Sequence, residues 1–414
     1  MRVQTPSAPA SDHAARNRET LENQRATLNK LTGHAERMLP ALRDRAPRCE
    51  EIRRLPDETF QELIAGGFFR IFQPARYGGY ELEPGHPQIE IAGRFGRACG
   101  STAWVWAVVA CHSWLIGMYP LQAQDDVWRD TPDAVASTAS FPEKSRFEKV
   151  TGGYRISARC KFASGVDHAD WVVVGIPFKT ETGAPDSLWC LVPKRDLEVI
   201  DTWFVSGLRG TGSKDIQMEG VFVPEHRVLP LSEMVKGTGP GTAVNPSHIY
   251  RIPLFAAYTY NLVTPALGIA RGAIDDYCDR MRARGVGVVG LDYSSLESIH
   301  LKISEAAVQV DCAVSLLKAM ATEFNAQVYA GDTLRKDQIA RARRNFSYAS
   351  QLCMQAVDSI HYVGGAHSIF EDNSMPRAFR DIHALNAQFA LKFHLAARAY
   401  GRLAIGLDSG DPFI

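Results

Sequence analysis

The sequence of 414 residues lacks an excess of charge of either sign, because 46 Lys and Arg residues balance 46 Asp and Glu residues. A net charge of zero gives no overall attraction to nucleic acid or to acidic membranes. The longest apolar run, residues 104 to 119, is too short and too interrupted by polar residues to span a bilayer. No basic stretch followed by an apolar core opens the chain, so we expect neither a secretory signal nor a membrane anchor.

The sequence also lacks the cysteine patterns of metal-binding and disulfide-rich proteins. Its eight cysteines include no Cys-x-x-Cys pair, and its twelve histidines form no cluster at metal-ligand spacing. Most of the cysteines lie in apolar runs, where a reduced thiol behaves as a small hydrophobic group. We therefore expect no metal site and a reducing, cytoplasmic location.

Several nucleotide-binding and hydrolase motifs are missing, among them GxxxxGK[ST], HExxH and GxSxG. Residues 285 to 290 (GVGVVG) match the GxGxxG pattern of dinucleotide-binding proteins. That pattern must follow a strand and open a helix, whereas here it follows a helical segment that ends near Arg284. We interpret these residues as a loop or a helix end.

The sequence does contain two clear changes of hydrophobic period. Residues 1 to 18 are rich in Ala, Ser, Pro and charge, which predicts a disordered tail. Residues 19 to 130 have helical spacing, residues 131 to 230 contain alternating segments such as 154 to 162 (YRISARCKF), and residues 231 to 414 return to helical spacing. The order predicts an α+β protein with an N-terminal helical domain, a central β domain and a C-terminal helical bundle.

Two pairs of motifs resemble the acyl-CoA dehydrogenase superfamily. Residues 207 to 213 (GLRGTGS), followed by residues 223 to 227 (VPEHR), are similar to its β-domain signature. Residues 362 to 365 (YVGG) and 377 to 381 (RAFRD) are similar to its C-terminal, flavin-side segment. The resemblance implies an acyl-CoA dehydrogenase-like fold, with a central β-barrel or sandwich and a C-terminal four-helix bundle.

A further pair of motifs narrows the resemblance to one branch. Residues 100 to 113 (GSTAWVWAVVACHS) and 162 to 168 (FASGVDH) are similar to the group D flavin-dependent monooxygenases, such as those acting on p-hydroxyphenylacetate or on the phenolic ring of degraded steroids. The dehydrogenases need a carboxylate base, and one common position for it follows the RxxRD segment. Residues 380 to 388 (RDIHALNAQ) contain His383 and no Glu there, which suits phenol or peroxide chemistry better.

The resemblance implies the oxygenase component of a two-component system. A separate NAD(P)H–flavin reductase would supply reduced flavin, either FMNH2 or FADH2. Its C4a-hydroperoxide, formed with O2, would hydroxylate a phenolic or polycyclic aromatic substrate. The resemblance also implies a homotetramer with flavin sites shared between subunits. The alternatives are oxygenation of nitrogen or sulfur on the same fold, an acyl-CoA dehydrogenase, and a non-catalytic helical scaffold.

Three residues are predicted to be catalytic through the resemblance. It places His112 against the phenol oxygen of the substrate, where a neutral imidazole could take or share the proton. It places Ser164 in a hydrogen bond with flavin N5, and His383 near the C4a side of the flavin. From the sequence alone, each has a structural interpretation as well: a core histidine, a turn serine before Gly165, and a histidine on a helix surface.

The resemblance also predicts the residues that contact the flavin and the substrate. The cofactor-binding set consists of Trp104, Ser137, Thr138, Phe162, Ala163, Ser164, Arg284, Gly364 and Gly365, with Arg284 placed against a flavin phosphate. The substrate set consists of His112, Thr138, Arg251 and Phe255. Phe255 stands where the p-hydroxyphenylacetate enzyme places an Arg for the substrate carboxylate, and Arg251 is one turn away. We therefore expect a neutral or bulky phenol.

Overall fold

The N-terminal part of the chain is helical in the computed structural model, which describes residues 10 to 283, 293 to 411 and 414. The first helix buries residues at helical spacing, such as Leu31, Ala35 and Leu42. It begins inside the predicted disordered tail, so residues 10 to 18 are helical, contrary to that prediction. The helices of this part are α1 (Ala10–Glu51), α2 (Asp57–Ala65), α3 (His86–Ala98), α4 (Gly100–Ile116) and α5 (Leu121–Trp128).

Helix α4 lies in the centre of the protein and is buried along its whole length. A helix that is apolar on every side has no solvent face, so its few polar side chains, including His112, end up in the interior. Within the described ranges, none of the helices combines the length and the apolar character that crossing a membrane requires.

The central part forms two four-stranded sheets rather than the closed barrel that was one of the two predicted forms. One sheet has the order β1-β4-β5-β8 and the other β2-β3-β7-β6, and buried side chains of both form one apolar cluster. All neighbours are antiparallel except β1 and β4. The strands are β1 (Ala136–Ala139), β2 (Phe141–Val150), β3 (Gly153–Ala163), β4 (Trp171–Lys179), β5 (Pro185–Pro193), β6 (Glu198–Ile200), β7 (Lys214–Pro224) and β8 (Val228–Pro230).

The C-terminal part is helical again, which confirms the predicted order of helices, strands and helices. Its longer helices pack around α10, which contacts α8, α9, α11 and α12. The stripe from Ile339 through Phe346 and Cys353 to Ile360 is buried at helical spacing, as the sequence predicts. The helices are α6 (Leu231–Lys236), α7 (Leu254–Ala257), α8 (Tyr260–Ala283), α9 (Glu297–Tyr329), α10 (Lys336–Gly364), α11 (Met375–Asn386) and α12 (Phe393–Ala404).

Helices α3 and α8 cross so closely that glycine is required on both sides. A Cβ atom on Gly96 would lie 2.8 Å from the Cα of Gly268, and one on Gly268 would lie 2.6 Å from the Cα of Gly96. Both distances join a side-chain atom to backbone, which cannot move away as a flexible side chain can. This crossing ties the N-terminal helices to the C-terminal bundle.

The substitution Gly96→Ala should therefore lower the free energy of unfolding by about 1 to 3 kcal/mol through overpacking. The matched control is Gly93→Ala on the same helix, where an added Cβ meets nothing within 4 Å. That change should be neutral or stabilising by about 0.5 to 1 kcal/mol, because alanine favours the helix over glycine. Urea unfolding of both variants measures the difference, and equal effects would contradict the close crossing.

Candidate active site

Strand β1 holds two of the predicted catalytic residues in place through two consecutive positions. The Ala136 carbonyl accepts a hydrogen bond from His112 Nδ1 at 2.7 Å, and the Ser137 hydroxyl donates to the Ser164 carbonyl at 2.9 Å. The next side-chain oxygen, Thr138 Oγ1, is buried and has no partner of normal hydrogen-bond geometry among the described residues. One short strand therefore positions two of the three predicted catalytic residues.

Ser164 lies in a tight turn directly after β3. Phe162 has a φ of 67°, a left-handed conformation that is uncommon for a residue with a side chain. The Ser164 N–H donates to the Phe162 carbonyl and the Gly165 N–H donates to the Thr211 carbonyl, both at 2.9 Å. The turn leaves the Phe162 ring 53% exposed, with Trp203 edge-on at 6.3 Å between ring centroids.

The Ser164 side chain is one end of a row of hydroxyl groups. Trp104 Nε1 donates to Ser164 Oγ at 3.1 Å, and Ser164 Oγ lies 2.7 Å from Ser213 Oγ. Ser213 Oγ lies 2.7 Å from Thr211 Oγ1, which donates to the Leu208 carbonyl at 2.9 Å. Thr211 and Ser213 were not among the predicted site residues. Both belong to the GLRGTGS motif, and their hydroxyl groups in that motif could have indicated a place in the site.

His112 is buried and electrically neutral. Because the Ala136 carbonyl can only accept, Nδ1 carries the hydrogen and Nε2 is the acceptor nitrogen. Burial lowers the pKa of His112 to about 4, and the hydrogen bond to Ala136 opposes that fall. Nε2 faces the Tyr258 hydroxyl at a long 3.3 Å.

Tyr258, which directly follows α7, is a site residue that the sequence analysis missed. Burial raises the pKa of its phenol, with the Cys111 thiol adding to the rise and the nearby Thr138 hydroxyl opposing it. It stands three residues after Phe255, one turn further along the chain, so helical spacing from that predicted position could have found it.

His383 lies apart from this group. Its Nε2 donates to Asp358 Oδ1 at 2.8 Å and its ring packs on Phe379 at 4.5 Å, while its side chain is 42% exposed. Within the part of the chain that the structure describes, no contact joins it to Ser164 or His112. Its helix, α11, does pack on the GLRGTGS loop, so the catalytic role of His383 stays a prediction.

Of the predicted substrate-side residues near α7, Arg251 precedes the helix and Phe255 lies within it. Arg251 is exposed and donates to the Pro246 carbonyl at 3.5 Å. Phe255 is half-buried, with the guanidinium of Arg343 5.6 Å from its ring centroid. Arg343 itself is buried and paired with Asp411.

The remaining predicted cofactor residues fall in three places. Ala163 is buried at the end of β3, where it pairs with Lys214 of β7. Gly364 ends α10, and Gly365 follows it with a φ of 57°. Among the described residues, no contact joins either glycine to Ser164. Arg284 lies outside the described residues.

The chemistry of this group suits a flat heteroaromatic cofactor better than a metal. No set of three or more His, Cys, Asp or Glu side chains among the described residues could hold a metal ion. A half-exposed Phe162 ring, the half-buried Ser164 hydroxyl and the buried Thr138 Oγ1 lie on adjoining elements instead. They offer a stacking surface and hydrogen-bonding groups for the edge of a flavin ring.

The fold defines a protein of the acyl-CoA dehydrogenase-like fold class, and residues 260–393 match the family described as acyl-CoA dehydrogenase, C-terminal domain. More narrowly, the chain belongs to the oxygenase subunits of flavin-dependent monooxygenases. It is 32% identical over 381 residues to the oxygenase subunit HsaA of Rhodococcus jostii strain RHA1, a match that covers 91% of this chain and 98% of that protein.

Two further proteins support the assignment. The chain is 30% identical to the oxygenase component of p-hydroxyphenylacetate 3-hydroxylase from Acinetobacter baumannii, over 91% of this chain and 89% of that protein. The structure of XiaF from Streptomyces sp., in complex with FADH2 and glycerol, superposes with a TM-score of 0.85 at 26% identity, covering 96% of this chain and 99% of that one. The predicted fold class and the prediction of a flavin-dependent monooxygenase are confirmed, and the dehydrogenase and scaffold alternatives are set aside.

Asp381 connects α11 to the GLRGTGS loop. It is buried, and its Oδ1 accepts a hydrogen bond from the Leu208 N–H at 2.6 Å. Burial raises the pKa of Asp381 to about 7, and the hydrogen bond from Leu208 opposes that rise. Of the weaker influences, Cys99 and Glu50 raise the pKa further and Arg377 lowers it. The folded protein therefore holds a proton here that the unfolded chain releases at lower pH.

The substitution Asp381→Asn should flatten the pH dependence of stability. The unfolded carboxyl ionises near pH 3.8 and the folded one near 7, so the free energy of unfolding falls as the pH rises through that window, by at most on the order of 4 kcal/mol. Asparagine keeps an oxygen for Leu208 and cannot ionise, so the fall should disappear. Urea unfolding from pH 4 to 8 measures it, with Asp332→Asn, the same change at an exposed position, as control. An unchanged pH dependence in the Asp381 variant would refute the prediction.

Proposed function

We propose that this chain hydroxylates an aromatic carbon of a neutral phenolic or polycyclic substrate, using reduced flavin and O2. The buried, neutral His112, whose Nε2 is a hydrogen-bond acceptor, carries the proposal, because a phenol needs an acceptor for its proton and an amine or a sulfide does not. The hydroxylation of p-hydroxyphenylacetate by a relative supports a phenolic substrate, although that substrate also carries a carboxylate.

The flavin side of the site is proposed to consist of Trp104, Ser137, Thr138, Phe162 and Ser164, with Ala163 behind them. Bound reduced flavin supplies the activation of O2 that protein side chains cannot provide. The chain's own contribution is to bind the ring, orient it and exclude water. Trp104, Ser137 and Ala163 are buried, whereas Phe162 is exposed, so one side of the proposed site is dry and the other is open.

The substrate side is proposed to lie between α4 and α7. There, the substrate phenol would donate its hydrogen bond to His112 Nε2 in place of the Tyr258 hydroxyl, which makes the long contact of 3.3 Å. This hydrogen bond would make the aromatic ring of the substrate more electron-rich. Phe255 offers an apolar wall, and Arg251 makes its one described hydrogen bond to a backbone carbonyl at the surface. These features favour a neutral or bulky phenol over a small carboxylate.

The cofactor and partners are proposed as follows. FADH2 is the preferred flavin, since the structure of XiaF contains it. A separate reductase supplies it, as the term oxygenase component implies for the relative.

Three exposed apolar side chains lie beside Gly364 and Gly365: Tyr362, Ile369 and Phe370 are exposed by 81%, 68% and 55%. A homotetramer would cover them and let a second copy complete the flavin site. Buried reduced cysteines support a cytoplasmic location.

The test uses the protein with a flavin reductase, NADH, FAD, 18O2 and a panel of phenols. The wild type should place 18O on the ring, whereas His112→Ala should lose about 100-fold or more of the hydroxylation rate because no acceptor remains for the phenol proton. Binding of reduced flavin should persist in that variant. Product formation and NADH consumption are measured separately, so that coupling is known.

The matched control is His300→Ala, which removes an exposed histidine on α9 that bonds the Ser294 carbonyl. It should hydroxylate as the wild type does. Full activity of the His112 variant on phenols, or oxygen transfer to amines and sulfides alone, would rule out the proposed role.

A further inference from the structure

The row of hydroxyl groups behind Ser164 has two ends of opposite hydrogen-bonding character. At one end, the Trp104 indole N–H can only donate, and it points at Ser164 Oγ. At the other end, the Leu208 carbonyl can only accept, and Thr211 Oγ1 lies 2.9 Å from it. Between them stand three hydroxyls, each with one hydrogen to give.

Counting hydrogens gives the row a preferred direction. If Thr211 donates to Leu208, Ser213 donates to Thr211 and Ser164 donates to Ser213, then all four contacts are hydrogen bonds. In the reverse order, Thr211 donates to Ser213 and Ser213 to Ser164, and the contact between Thr211 and the Leu208 carbonyl has no hydrogen. The forward order therefore keeps one hydrogen bond more.

Because the row is mostly buried, water does not replace the lost hydrogen bond between Thr211 and the Leu208 carbonyl. Trp104, Thr211 and Ser213 are 8%, 1% and 4% exposed, and only Ser164 is half-buried. In the forward order the single hydrogen of Ser164 is engaged with Ser213, so its oxygen presents a lone pair to whatever binds beside it. In the reverse order the same oxygen presents a hydrogen.

We infer that Thr211 and Ser213 are positioning residues that hold Ser164 as a hydrogen-bond acceptor, so that the site selects reduced flavin over oxidised flavin. Reduced flavin carries a hydrogen on N5 that Ser164 can accept, whereas N5 of oxidised flavin can itself only accept. This inference rests on the proposed function, which places the flavin at Ser164. Neither positioning residue needs to touch the flavin, because each acts through the Ser164 hydroxyl.

The test compares Thr211→Val with Thr211→Ser. Valine has a similar shape and no hydroxyl, so the reverse direction no longer costs a bond, whereas serine keeps the row intact. Leu208 O keeps Trp203 Nε1 at 3.1 Å in both variants. The readout is the ratio of the dissociation constants of oxidised and reduced FAD, measured by anaerobic titration without substrate.

The wild type and Thr211→Ser should prefer reduced FAD to the same degree, and Thr211→Val should lower that preference about three- to tenfold, the worth of roughly one hydrogen bond. Ser213→Ala provides a second variant should the valine protein fail to fold, and it should lower the preference likewise. An unchanged ratio in the folded variants overturns the inference while the proposed function stands. Failure of the wild type to bind reduced FAD, or unchanged FAD affinity in Ser164→Ala, overturns the proposed flavin site itself.

Discussion

The parallel pairing of β1 with β4 is the constraint on which the site depends. It fixes Ala136, Ser137 and Thr138 against Trp171, Val172 and Val173. Two of these β1 residues hold His112 and the turn of Ser164 through one hydrogen bond each. Because alternate residues of a strand point to opposite faces, a one-residue shift of β1 would exchange these partners and separate the two proposed halves of the site.

Burial is the largest influence on the proton affinities of His112 and Asp381. The same physical cause lowers the pKa of His112 and raises that of Asp381, because burial disfavours whichever form is charged. Near neutral pH, His112 is therefore uncharged, and Asp381 is held close to its own titration. A neutral interior agrees with chemistry in which a bound cofactor, rather than an ionised side chain, supplies the reactive group.

Local patterns in the sequence predict the elements well and the site only in part. The alternation in residues 154 to 162 and the stripe on α10 reflect burial that each element carries in its own residues, so both are found. The choice between a barrel and two sheets depends on strand pairing over long distances, which no local pattern contains. Ser213 and Tyr258 likewise reach the site only through tertiary contacts with Ser164 and His112, which lie 49 and 146 residues away in sequence.

The left-handed backbone at Phe162 restricts how this part of the surface can vary among related sequences. A side chain branched at Cβ is strongly disfavoured at positive φ, whereas unbranched residues, asparagine and glycine are tolerated. Drift at this position should therefore avoid valine, isoleucine and threonine, although all three suit the strand that ends there.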